Sequence, residues 1–215
     1  MTQRIINRVL SLVCLCCCFQ NIMYAQEGTD KRAYTLFDNT GKEITYGELI
    51  QHLSGYDIVF LGEIHNCPIT HWLEFEITRS LYHLHKNKLM LGAEMLESDN
   101  QLILDEYMQR KISYDRFEAE ARLWDNYSTD YYPVVFFAKE HGIPFIATNI
   151  PRRYANSVKN GGLEVLDSLS AEAKKYIAPL PVPFEYNEKE SEAAFSLMNM
   201  MGGKKTGDNE KLAQA

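Results

Sequence analysis

The apolar positions of this chain fall into three short blocks separated by segments of helical period. Ile58-Val59-Phe60-Leu61 lies between Asp57 and Gly62 and predicts a short strand buried on both faces, as in parallel sheets covered by helices. Lys88-Leu89-Met90-Leu91-Gly92-Ala93 predicts a second strand ending at Glu94, and Ile143-Pro144-Phe145-Ile146-Ala147 a third, ending at Thr148-Asn149. Between the first two, Pro68 to about Lys86 predicts a helix with proline at its start and Trp72, Phe75, Ile77 and Leu81 on its apolar side.

Shorter signals fill in the rest. Two β-type runs, Tyr34 to Phe37 and Lys42 to Thr45, flank Asp38-Asn39-Thr40-Gly41 and predict a hairpin. Thr45 with Glu48 has the form of a capping box, and so has Ser98 with Gln101; the first opens a helix to about Leu53, the second a helix carrying Leu102, Leu104, Tyr107 and Met108. Further helices are expected from Ser113 to Leu123 and from Thr129 to His141, the last stopped by Gly142. Strand, helix, strand, helices, strand is the pattern of an α/β fold, a mainly parallel sheet covered by helices on both faces.

In such a sheet ligands sit beyond the carboxyl ends of the strands. The three predicted ends offer Glu63 with His65, then Glu94, then Asn149. Two carboxylates and an imidazole can hold a divalent metal or serve as an acid/base set. The same residues also suit ordinary loop and capping duties. His71, Glu74 and Glu76 follow on the helix that Pro68 opens, whereas His83 and His85, two apart, point to different faces and make a poor metal pair.

Composition narrows the classes. A chain of 215 residues with 46% hydrophobic and 24% charged residues can bury a substantial core. A formal charge of -7 without a basic stripe argues against nucleic acid as a partner. Arg4 and Arg8 precede an apolar block from Val9 to Phe19, too short to span a bilayer but of signal-peptide length. The expected organisation is a signal peptide over 1–25, a single domain over 26–200 and a flexible polar tail over 201–215. Cleavage after Ala25 leaves Cys67 alone of the five cysteines, so no disulfide forms within a monomer. Lipoprotein processing at Cys14, Cys16, Cys17 or Cys18 is the alternative route to the same exported destination.

These residues carry a family resemblance. Leu61-Gly62-Glu63-Ile64-His65 with His71 downstream, Gly92-Ala93-Glu94-Met95 followed by Gln101, Trp124 with Tyr131-Tyr132-Pro133, and Ala147-Thr148-Asn149-Ile150-Pro151-Arg152 stand in the order seen in the ChaN family of haem-binding lipoproteins. The likeness covers roughly residues 55 to 190, and the wider superfamily resembles the Tiki metalloproteases and erythromycin esterases. The family's further Gly-x-Gly-His element has no counterpart in this sequence; a truncated chain, or a segment supplied by a partner, accounts for that departure.

The resemblance implies an exported protein, periplasmic or an outer-membrane lipoprotein, that takes part in haem or iron acquisition. Haem held between two subunits of a homodimer and exchange with an outer-membrane haem receptor are the partners it implies. Tyrosine and histidine are both haem-iron ligands, and Trp124 to Tyr132 places Tyr127, Tyr131 and Tyr132 beside an indole. With His71 they are the expected haem contacts, and Arg152 the expected partner of a propionate. The competing reading is a metal-dependent hydrolase in which His65, Glu63 and Glu94 hold the ion and a carboxylate takes the proton of bound water. Packing of the tyrosines into the core is the plainer alternative for each of them.

Overall fold

The computed structural model describes residues 32–185 together with 187, 189, 191 and 192. The expected leader over 1–25 and tail over 201–215 lie outside the described residues. The chain divides into two compact units, Met1–Asp57 and Ile58–Ala215.

In the first unit β1 (Leu36–Phe37) and β2 (Glu43–Ile44) form the expected antiparallel hairpin, Leu36 opposite Ile44. Its turn is held by Asp38, whose carboxylate accepts from the Thr40 hydroxyl at 2.7 Å and from the Thr40 and Lys42 amides. Gly41 takes a positive φ of 83°, a conformation that costs a side chain little only at glycine. α1 (Tyr46–Leu53) starts on the predicted capping box, the Thr45 hydroxyl accepting from the Glu48 amide while the Glu48 carboxylate accepts from the Thr45 amide.

The second unit is rich in helices around one parallel strand pair. α2 (Pro68–His85) begins on its proline, whose missing N–H would have no partner in the first turn anyway. β3 (Leu91–Glu97) pairs in parallel with β4 (Phe145–Asn149), Leu91 beside Phe145 and Ala93 beside Ala147, with an irregular register between Ala93 and Glu97. α3 (Gln101–Met108), α4 (Tyr114–Glu120) and α5 (Tyr132–His141) lie between the strands in sequence, and α6 (Arg152–Gly161) follows β4. A π-helical turn at Tyr127–Tyr131 leads into α5, and Gly142, at φ 65°, ends that helix as its sequence foretold.

The core gathers Met95 and Leu96 of β3, Phe145 and Ala147 of β4, Leu104 and Tyr107 of α3, Phe117 of α4, and Val135 and Ala138 of α5. Tyr107 stacks on Phe117 with centroids 4.7 Å apart. Gly92 is required by a close approach: a Cβ there would stand 2.8 Å from the Thr148 methyl on the neighbouring strand. Gln101 does the work of a strand on β4. Its Nε2 donates to the Phe145 carbonyl at 3.0 Å and its Oε1 accepts from the Ala147 amide at 2.7 Å.

Three expectations are corrected. Residues 58–61 do not pair as a strand and are not buried, Ile58 being 70% and Phe60 91% exposed. Apolar character sets a strand's preference, but a ladder partner makes it one, and β3 pairs with β4 alone among the described residues. The second strand starts at Leu91 and runs through Glu94 to Glu97, so Glu94 sits within the strand and exposed. Ser98 does not cap α3: its hydroxyl donates to the Tyr176 carbonyl, and a 3-10 turn at Ser98–Asn100 intervenes. A parallel sheet with helices is present, on a smaller scale than the sequence suggested.

Candidate functional site

The extended stretch before α2 carries Glu63 and His65, and the first two turns of α2 carry His71 and Glu74, three apart and hence on one face. These meet the π-helical turn, which supplies Tyr131 and Asp130. Glu63 is the hub. Its Oε1 accepts from the Tyr131 hydroxyl at 2.6 Å and contacts His65 Nδ1 at 2.5 Å. Its other oxygen, Oε2, lies 3.3 Å from Nδ1 of His71, and Glu74 Oε2 lies 3.4 Å from the same nitrogen.

The His65 main chain is pinned as firmly as its ring. Its carbonyl accepts from His71 Nε2 at 3.0 Å and from Asn126 Nδ2 at 3.0 Å, and Asn126 also donates to Asp130 at 2.8 Å. Aromatic edges close the surroundings: Trp124 against His65 at 4.9 Å, Tyr131 against His71 at 4.8 Å and Trp124 against Tyr131 at 5.7 Å. The two imidazoles differ in access. The side chain of His71 is 3% exposed and that of His65 42%.

Burial and crowding of charge shift the titrations. Loss of solvent and the neighbouring Glu63 charge push the Glu74 carboxyl up to about 7, although His71 opposes this. Burial pulls His71 down, but its bond to the His65 carbonyl and the charges of Glu63, Glu74 and Asp130 outweigh it and leave the ring above its ordinary value. Tyr131 is pushed far up by burial and by its bond to Glu63. Both the donated bond and the elevated pKa keep its phenol protonated.

The expected site residues are distributed as follows. Glu63, His65, His71 and Tyr131 come together. Tyr127 does not join them: it is 2% exposed in the core, its hydroxyl without a hydrogen-bond partner, and burial pushes its pKa far up. A phenolate ligand must lose its proton and face the iron, and the burial of Tyr127 works against both. Tyr132, half-buried, packs its ring on Tyr114 at 4.7 Å and on Phe136 at 5.6 Å. Arg152 is exposed at the start of α6, while its neighbour Arg153 bonds Asp99 and the Tyr154 hydroxyl. Glu94 lies outside the group of Glu63, His71 and Glu74, the three donors that the described residues bring within 4.8 Å of one another. The sequence places Glu74 on the helix with His71 but assigns it to no site, and it does not single out Asn126 or Asp130. The spacing of Glu74 from His71 was the signal for the first; nothing local announces the other two.

A helix-rich α/β unit with a parallel strand pair and a buried histidine held among carboxylates defines the class. Residues 49–215 match the family described as haem-binding uptake, Tiki superfamily, ChaN, and the chain belongs to that family. Among solved structures, ChaN of Campylobacter jejuni, described as binding haem cofacially, is similar in fold at 19% identity with a TM-score of 0.59. The match covers 80% of this chain and 64% of that one, so this chain spans about two-thirds of the length of that relative. No match is found among curated proteins.

Proposed function

We propose that this chain is an exported haem-binding protein of haem or iron uptake, with His65 as the imidazole that meets the iron. Membership of the haem-binding family supports the ligand, and the geometry of His65 supports the residue. Its ring is 42% exposed, and its Nδ1 is occupied by Glu63 at 2.5 Å. That leaves Nε2 to face a metal. A carboxylate behind an imidazole fixes its orientation and raises its basicity, the arrangement that ligating histidines adopt. Leu61 and Ile64, 42% and 55% exposed in the same stretch, supply apolar surface for a porphyrin face.

The cofacial arrangement described for the Campylobacter protein supports a site shared between two copies of this chain. Export rests on the leader read in the sequence, and delivery to an outer-membrane receptor extends the same role. The hydrolase reading has less behind it, since Glu94 is not among the donors gathered around Glu63 in the described residues.

The test is a haem titration of the full chain followed by its Soret absorption. Wild-type protein gives a saturable shift. His65→Ala weakens binding by at least about tenfold, or roughly 1.4 kcal/mol, and changes the position of the band, while Tyr127→Phe leaves both unaltered. Wild-type affinity and spectrum in His65→Ala would overturn the assignment of the ligand, and absence of saturable binding in the wild type would overturn the function.

A further inference from the structure

We propose that Glu63, His71 and Glu74 form a divalent-cation site, inward of His65 and separate from the haem contact, with Zn2+ as the ion its donors and spacing suit. The argument begins with one nitrogen. His71 Nε2 donates to the His65 carbonyl at 3.0 Å, so the proton of a neutral ring is on that side and Nδ1 carries a lone pair. This Nδ1 is sealed from solvent and has no hydrogen-bond partner. It points instead at two carboxylate oxygens, Glu63 Oε2 at 3.3 Å and Glu74 Oε2 at 3.4 Å. With the ring neutral, this lone pair and the two carboxylates face one another across a sheltered gap that a proton fills when the ring is charged, and a bound cation in place of that proton turns all three into ligands.

The distances fit that role. Zn2+ holds nitrogen and oxygen donors at about 2.0–2.2 Å in a tetrahedron, which sets neighbouring donors roughly 3.3–3.5 Å apart. An octahedral ion at similar bond lengths brings neighbouring donors to about 3 Å. One imidazole and two carboxylates is a mixed nitrogen and oxygen set of the kind Zn2+ accepts. The surroundings meet the requirement that ligands themselves be held. Tyr131 and His65 both engage Glu63 Oε1, which turns Oε2 inward, and the His65 carbonyl fixes the plane of the His71 ring. Three protein donors leave a fourth position for water or another ligand.

The chain has other zinc-binding groups, notably its cysteines, and the test separates them. Full-length protein stripped with a chelator is titrated with Zn2+ after its thiols are alkylated, and the melting temperature is followed in parallel. The expected result is one ion per chain and a melting temperature that rises with Zn2+. Glu74→Gln and, independently, His71→Gln weaken the site by about 100-fold or more, whereas Glu76→Gln on the same helix and Cys67→Ser do not. Tyr131→Phe, acting through Glu63, costs about 10- to 100-fold. Substitution of Co2+ gives wild-type protein a tetrahedral absorption band, a readout that needs no variant to fold. Lack of any stoichiometric ion, an octahedral Co2+ spectrum, or unchanged affinity in Glu74→Gln overturns the proposal. Loss in Cys67→Ser does so equally. Haem binding by Glu74→Gln remains a separate reading, so failure of the cation site and failure of the haem site are told apart.

Discussion

Glu63 divides its two oxygens between two environments, and most of the chemistry proposed here follows from that division. Oε1 serves the solvent-facing His65 and is bonded by Tyr131, while Oε2 faces the buried His71 and Glu74. Glu63→Gln removes the negative charge from both at once, and the expected result is weaker haem binding together with loss of Zn2+, read in the two titrations. The titration of Glu74 gives a separate test. Its carboxyl is raised from 4.5 to about 7, so the folded chain binds a proton more tightly than the unfolded one. Stability therefore falls as pH rises from about 4.5 to about 7. His71, raised above 6.5, acts in the same direction, its contribution present below that pH and lost as pH passes the folded-state value. Among the described residues, Glu63, His65, Cys67, Asp130 and Tyr131 are also titratable neighbours of this pair. In a chelator-containing buffer the melting temperature at pH 5 should exceed that at pH 8, and Glu74→Gln should flatten the difference. An equal slope in that variant would show that the dependence originates elsewhere.

At the scale of elements, contacts between neighbours in sequence were legible and contacts across the fold were not. The Thr45 capping box, the proline opening α2 and the glycine closing α5 are decided within a turn of chain, and each stands where the residues place it. The strand expected at Ile58 to Leu61 depends on a partner that no local pattern specifies. β3 likewise runs past Glu94 because its ladder with β4 continues beyond an irregularity to Glu97 and Asn149. The Tyr127 to Tyr132 cluster was legible as a cluster, but residue type does not say which ring turns inward. Tyr127 and Tyr131 do so, at 2% and 4% exposure. Gln101 shows the same limit from the other side: its amide completes the β4 edge through bonds spanning more than forty residues of sequence. Gln101→Ala strips a partner from two backbone groups and should cost about 2 kcal/mol, a fall in melting temperature of roughly 4–8 °C for a chain of this size. Gly92→Ala forces a methyl against Thr148 and should cost about 1–3 kcal/mol. Thr148→Ser removes the methyl it meets, so the double variant should recover part of that loss.

For the whole molecule, family membership supplies the ligand class and the arrangement of residues supplies the assignment within it. The second unit carries the candidate site on three segments: the stretch before α2, the start of α2, and the π-helical turn leading into α5. Such a site changes when any of the three moves, and core substitutions at a distance should be felt there. Leu104→Ala, at a side chain fully buried in α3, should destabilise the unit by about 2–5 kcal/mol, and chemical denaturation would measure it. In the proposed arrangement the outward face presents an imidazole to haem, and the inward face a buried nitrogen between two carboxylates. They are joined through Glu63 and His65, whose carbonyl holds the His71 ring, and differ in the nitrogen each offers.

The most direct test of this division is the haem affinity of His65→Ala and Glu74→Gln, measured side by side on the full chain with the wild type. The account predicts that His65→Ala loses about tenfold or more in affinity while Glu74→Gln binds as the wild type does. Wild-type haem affinity in His65→Ala would contradict it.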